Sequence, residues 1–259
     1  MAWEQDVRVI VMLTGLEEGG RIKSHNYWKS DLYGPLRLRC IHEHKVSLES
    51  CISKGKRRSV STSNEPISAD SSIPFVIVRK FTLEHTERPF SPLREITQLH
   101  YTSWPDFGTP QHPSHVLSLV EHTEAVSRSL TASESSPSRR PVLVHCSAGC
   151  GRTGTFCTVD SVIEMMKRQR IHQKRQIQDD SSDVDGGGTN VDMRSLGIED
   201  EGEWVNRDDE DLVYKAVSEF RDQRISMVQC LQQYVLCYEA VLEWLAKQNP
   251  LDSGKRKER

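Results

Sequence analysis

Residues 141–144 (PVLV) form a short apolar run. HCSAGCGRTG follows at once over 145–154, and then Phe156, Val159, Ile163 and Met166 recur at helical spacing. A strand that enters a glycine-containing turn and leaves it as a helix constrains the chain more than any other feature. Such a turn aims several backbone N–H groups at one point, and the helix behind it adds free amides and the positive end of its dipole. The product is a nest for a dianion such as phosphate.

Cys146 sits at the bottom of that nest. The field that attracts an anion also favours the thiolate, so its pKa is expected well below the free value of about 8.5. A thiolate beneath a phosphate is placed for in-line attack on phosphorus. Arg152, six positions on, offers a planar fork for two phosphate oxygens. Gly149, Gly151 and Gly154 permit close backbone approach, and the Thr153 hydroxyl can reach the sulfur. A dinucleotide-binding turn competes for the same glycines, since Gly149-x-Gly151-x-x-Gly154 fits its pattern. That reading wants an acidic residue about 20 positions later, after a second strand. Position 169 is Gln within a basic stretch, and the rival also leaves Cys146 and Arg152 without a role.

Cleavage of an aryl phosphate needs an acid for the departing oxygen and a base for water. Trp104-Pro105-Asp106-Phe107-Gly108 supplies a candidate. Pro105 and Gly108 mark a loop, Trp104 an anchor, and Asp106 a carboxyl expected to be protonated in a partly desolvated site. Gln229 and Gln233 are four apart at an expected helix start, so they share a face and can orient a water. Alone, each of these is an ordinary turn or polar helix face; beside the cysteine loop they gain meaning.

The remainder reads as one α/β (α+β) domain with a mixed sheet. Strands are expected at 7–12, 36–41 (half-buried) and 75–83. Helices are expected at 113–129, from the turn to near Arg170, at 212–224 and at 228–247. The last carries an apolar stripe of Leu231, Tyr234, Tyr238, Val241 and Leu245. Disordered insertions are expected at about 50–72, 127–140 and 176–211, and a charged tail at 250–259.

The net charge of −3 hides an asymmetry. Residues 179–211 hold 13 acidic and 2 basic residues, leaving 24 acidic and 32 basic elsewhere, so the body would attract anions. No run of about 18 apolar residues suggests a membrane span, and the start of the chain has no secretory pattern. Seven cysteines, odd in number and without a Cys-x-x-Cys pair, suit reduced thiols in a cytoplasmic or nuclear setting. His42 and His44 face one way on a strand and could touch a metal, but no third ligand accompanies them. A reversible Cys146–Cys150 disulfide and a phosphorylation or docking role for 54–63 (KGKRRSVSTS) are lesser readings.

Together these residues resemble the tyrosine-specific protein tyrosine phosphatase family. Residues 144–154 match its signature loop, Trp104-Pro105-Asp106 its mobile acid loop, and Gln229 with Gln233 its glutamine loop. Residues 9–14, Tyr27-Trp28 and His100-Tyr101 support the match, which runs from about Trp3 to Trp244. The resemblance implies a twisted mixed sheet flanked by helices, and hydrolysis of phosphotyrosine in proteins through a cysteinyl-phosphate, in signal transduction. It implies catalytic roles for Cys146, Arg152, Asp106, Gln233, Thr153 and His145. Substrate contacts would come from Ser147, Ala148, Gly149, Cys150, Gly151, Arg152, Asp106 and Gln229. It implies no metal or other cofactor, no nucleic-acid partner, and a monomer acting on phosphotyrosine proteins.

Three departures accompany the resemblance. The family's N-terminal helices and Asn-Arg-Tyr recognition loop would precede Trp3, so 1–249 reads as a catalytic domain lacking its N-terminal part. A phosphotyrosine-binding module with weak turnover, or a broader dual-specificity phosphatase, are the rival functions. The acidic residue that braces the signature arginine is not obvious after Trp28, with Asp31 the substitute. Cys230 stands where the family has Thr.

Overall fold

The computed structural model describes residues 1–29, 31–48, 74–131, 140–182 and 209–248, with the side chains of 131 and 174–182 left aside. A six-stranded mixed sheet forms its centre. β1 (Val9–Met12) runs parallel to β7 (Arg94–His100) on one side and to β8 (Val142–His145) on the other. β6 (Phe75–His85), β5 (Leu36–Ser47) and the two-residue β4 (Leu32–Tyr33) continue antiparallel, giving the order β4-β5-β6-β7-β1-β8. A separate hairpin joins β2 (Glu17–Glu18) to β3 (Arg21–Ile22). Gly19 and Gly20, both at positive φ, make its two-residue turn, a geometry side chains resist.

The helices are α1 (Pro113–Thr131), α2 (Gly151–Ser182), α3 (Leu212–Gln223) and α4 (Leu231–Gln248). The main core joins one sheet face, with Val11, Val76, Val78 and Leu99, to Leu117, Phe156, Val159, Leu236 and Trp244 of the helices. On the other face Ile10, Phe81, Leu83 and Ile96 pack under Trp3, Trp28, Leu36 and Leu143. β1, flanked by parallel strands on both sides, is buried along its whole length, which explains its run of Val, Ile and Met without alternation.

The mixed sheet and single α/β domain agree with expectation, and several boundaries differ. β7 escapes the apolar pattern because its buried run includes Thr97, Gln98 and His100. The expected half-buried strand at 36–41 is partly buried only at Leu36, Arg37 and Leu38; β5 is exposed from Arg39 to Lys45 and runs on to Ser47. α2 runs 12 residues past Arg170, since 171–182 contains neither Gly nor Pro and is rich in Gln, Lys and Arg. Residues 176–182 of the expected disordered insertion are therefore helical, as are 127–131 of the segment at 127–140. Asp211, also placed in that insertion, caps α3 by accepting from the Tyr214 amide at 2.9 Å. The insertion at 50–72, the stretch 54–63 within it and the tail at 250–259 lie outside the described residues.

α4 starts at Leu231 rather than 228, because Val228 takes a positive φ of 58°. Its expected stripe is also rotated. Val241 of that stripe is buried, but Leu231 is 75% exposed and Tyr234, Tyr238 and Leu245 only flank the core, while Gln233, Leu236, Cys237, Ala240 and Trp244 are buried. Among the described residues no helix is long and apolar enough to cross a membrane.

Candidate active site

β8 hydrogen-bonds beside β1, with His145 opposite Met12, and so delivers Cys146 to the end of the sheet. The chain then turns through Ser147 and Ala148, both exposed, and Gly149, whose φ of 69° suits a residue without Cβ. α2 begins two residues later. The Cys146 sulfur, 6% exposed, faces the backbone N–H groups of Gly149, Cys150 and Thr153, and accepts from the Thr153 hydroxyl at 3.3 Å. Burial opposes ionisation of this thiol, but those four donors outweigh it and lower its pKa. Half-buried Cys157 and buried Cys237, without such a cage, are pushed up to about 12 by desolvation.

Arg152 is 2% exposed and held on three sides. Nη1 donates to Glu18 Oε1 at 2.7 Å and to the Trp104 carbonyl at 2.9 Å, and Nη2 donates to Asp106 Oδ1 at 3.1 Å. Glu18 Oε1 also accepts from the Thr14 hydroxyl and the Gly15 amide. Burial opposes its charge, yet Arg152 and these donors keep its pKa low. Glu18 therefore braces the arginine. Asp31 does not: it is an exposed carboxylate 3.7 to 3.8 Å from Arg39 and Arg37. The Gly19-Gly20 turn is the sequence signal that could have found Glu18, because a Gly-Gly pair between short runs marks a tight hairpin.

The acid loop is anchored by Trp104, fully buried, whose indole N–H donates to the Gly108 carbonyl at 2.9 Å. Asp106 departs from expectation. Burial favours its neutral form, but a short hydrogen bond from Lys23 and the nearby Arg152 charge outweigh it, so its pKa is lowered and the carboxylate is ionised. Lys23 is a site residue that sequence reasoning missed; it arrives from just beyond β3, outside any recognisable motif.

Gln229 lies in the turn before α4, not on it, yet the two glutamines still meet. The Gln229 amide N–H donates to Gln233 Oε1 at 3.1 Å, and Gln233 Nε2 reaches the Gly108 carbonyl at 3.4 Å. Both side chains press on Gly151, where a Cβ would come within 2.9 Å of each. Gly154 is tighter: a Cβ there would lie 2.6 Å from the Val228 nitrogen. The Cys230 thiol points at the Phe107 carbonyl at 3.5 Å, tying the glutamine turn to the acid loop.

His145 stays behind the loop, with Nδ1 3.1 Å from the Cys146 carbonyl and Nε2 3.2 Å from the Tyr27 hydroxyl. Burial lowers its pKa. Cys146 and Cys150 are free thiols. Cys150 Sγ accepts from Arg224 Nε at 3.1 Å, and Arg224 Nη2 donates to the Ala148 carbonyl at 2.9 Å, so a second missed residue supports the loop from outside. His42 and His44 stack on exposed β5 with ring centroids 5.0 Å apart, and among the described residues no group of three ligands forms.

Cys146, Arg152, Asp106, Gln229 and Gln233 thus line one cleft of about 250 Å³, together with Lys23 and Arg21. A nucleophilic sulfur, a cationic fork, a carboxyl and paired amides converge there, the requirements of a phosphoryl transfer with a covalent intermediate.

Comparison with known proteins points the same way. The chain is 31% identical over 247 residues to the receptor-type tyrosine-protein phosphatase alpha of Mus musculus, covering 94% of this chain and 21% of that protein. It is 28% identical over 260 residues to the tyrosine-protein phosphatase non-receptor type 9 of Homo sapiens, covering 98% and 33%. The chain spans a third or less of the length of these curated relatives. The catalytic domain of human protein tyrosine phosphatase non-receptor type 18 superposes with a TM-score of 0.57 at 24% identity, over 94% of this chain and 62% of that one; this likeness is one of fold. The profile of the protein-tyrosine phosphatase family matches residues 1–180 and 202–243, and over that extent the chain belongs to this family.

Proposed function

We propose that this chain hydrolyses phosphotyrosine in proteins through a cysteinyl-phosphate. The observation that carries the reading is the caged Cys146 sulfur, with Thr153 on it at 3.3 Å and Arg152 six residues on at the same turn. The phosphoryl group enters the nest over Cys146, and its oxygens take the loop amides and the Arg152 fork. This displaces Asp106 from Nη2 and sets a dianion beside it. Both changes raise the affinity of Asp106 for a proton. Cys146 attacks phosphorus, the P–O bond to tyrosine breaks, and Asp106 gives its proton to the departing oxygen. Gln233, helped by Gln229, then orients water. Asp106 takes a proton from that water as it attacks phosphorus, the S–P bond breaks, and the Thr153 hydroxyl receives the returning thiolate.

A reducing compartment, cytoplasmic or nuclear, suits an enzyme that depends on a thiolate, and the free thiols among the described cysteines support it. The test is phosphate release from a phosphotyrosine peptide by the purified chain in EDTA. Turnover should vanish in Cys146→Ser while peptide binding persists. Turnover retained in that variant overturns the assignment, and binding without turnover in the parent points to a phosphotyrosine-binding module.

A further inference from the structure

The sheet face away from the main helices carries a polar row in a place where apolar side chains would suffice. Glu43, Arg79 and Gln98 are direct cross-strand neighbours on β5, β6 and β7. Arg79 is 5% exposed and Gln98 fully buried. Burying a guanidinium costs several kcal/mol of desolvation, and an apolar triad of equal volume would commonly be no less stable. The row therefore calls for a reason besides stability.

Its hydrogen bonds leave little freedom in where the protons lie. A guanidinium only donates. Arg79 Nε pairs with Glu43, and Nη1 donates to Gln98 Oε1 and to His100 Nδ1, each at 2.9 Å. The Trp28 ring stacks over the same cation at 4.1 Å. With its oxygen committed, Gln98 turns Nε2 outward, and that group donates to the Tyr27 hydroxyl oxygen in a short bond. The Tyr27 O–H is then left to donate to His145 Nε2. His145, holding an acceptor at Nε2, carries its proton on Nδ1 and donates it to the Cys146 carbonyl. Every step runs the same way, from the cation to the backbone of the nucleophile, and aligned bonds of this kind polarise one another.

We propose that Arg79 is a positioning residue for Cys146, acting through Gln98 and Tyr27 to hold His145 as the Nδ1-protonated neutral tautomer. The titratable groups that face His145 are Tyr27, His100 and Cys146, with Lys23 and His25 lining the cleft it borders and the Arg79–Glu43 pair beyond. The proposed effect on turnover rests on the phosphatase reading; the tautomer does not.

Gln98→Glu tests the direction of the chain. The new carboxylate keeps the acceptor for Arg79 and nearly the same shape, but it cannot donate to Tyr27. The Tyr27 hydroxyl then donates to that carboxylate and its oxygen faces His145 Nε2, which has to take up a proton to pair with it; the Cys146 carbonyl still requires Nδ1–H, so the imidazole becomes the doubly protonated cation. Imidazole nitrogen NMR of the protein without substrate should show Nδ1–H alone in the parent and N–H on both nitrogens in Q98E. Turnover of an aryl phosphate should fall on the order of ten-fold, mostly in kcat.

Tyr27→Phe, which removes one oxygen, is the second variant. It should change the His145 spectrum and lower kcat, and adding Gln98→Glu to it should cost nothing further. An unchanged His145 spectrum in either folded variant overturns the proposal, as do losses that multiply in the double variant. If the His145 protonation changes as stated while the parent shows no phosphatase activity, the functional reading fails and the relay stands.

Discussion

The Asp106 carboxylate meets the Arg152 guanidinium at 3.1 Å, Oδ1 to Nη2, while Lys23 holds the other carboxylate oxygen. The proposed acid and the phosphate clamp are thus partners before any phosphate arrives. In the proposed reaction a bound phosphoryl group parts them and leaves Asp106 free to take up a proton, so that one contact would couple binding to acid catalysis.

This pairing has a pH signature. The folded pKa of Asp106 lies below its ordinary 3.8, so its contribution to stability is full above that value and is lost as pH falls through the lowered one. Asp106→Asn should therefore melt below the parent near pH 7. The gap should close as the medium is acidified below about pH 4. Thermal unfolding across that range checks it, and a gap independent of pH would show that Asp106 is not held ionised.

The same variant separates leaving groups. An acid matters most where the departing oxygen is most basic. Asp106→Asn should lower kcat for a phosphotyrosine peptide by on the order of 100-fold or more, and much less for a phosphate of an acidic phenol. Steady-state rates on the two substrates decide it.

Glu18 holds Arg152 at 2.7 Å while 20% exposed. Glu18→Gln keeps the shape and removes the charge. It should cut kcat/KM for aryl phosphates on the order of ten-fold and weaken vanadate inhibition alongside. Asp31→Asn, altering an exposed pair with Arg37 and Arg39, should leave both measurements as they are.

The sulfur itself can be read by alkylation. At about pH 6 iodoacetamide should modify Cys146 before Cys157 or Cys237, with peptide mapping as the readout. Thr153→Val removes the side-chain donor that the described residues give the sulfur and should move the alkylation midpoint to higher pH.

Gly154 has no room for a Cβ, because the Val228 nitrogen would stand 2.6 Å away and the neighbouring atoms are backbone. Gly154→Ala should destabilise the fold by about 1–3 kcal/mol. It should also slow turnover by shifting the glutamine turn. Urea unfolding and kcat measured on one preparation check both.

Much of this site is legible in the amino-acid order alone. Cys146, Thr153 and Arg152 lie within eight residues, and covalent connection through one strand–turn–helix junction leaves few ways to arrange them. Trp104-Pro105-Asp106 and the two glutamines are legible as well, though only beside that junction. The helix and strand boundaries at β7, α2 and α4 are less so. Buried Thr97, Gln98 and His100 break the apolar pattern of β7, and α4 turns a polar Gln233 into the core because the cleft lies there.

Sequence carried the nest and the cysteine beneath it, because neighbours along the chain make them and chirality and glycine geometry do the rest. Tertiary structure alone decided which carboxylate braces Arg152, that Lys23 and Arg152 hold Asp106 ionised, and that a buried Arg79 reaches His145 through two intermediaries. Those contacts join residues 134, 83 and 19 positions apart or more. No local preference can specify them; they exist because the sheet and its hairpin close in space, and electrostatic energy in a desolvated cleft depends on that closure.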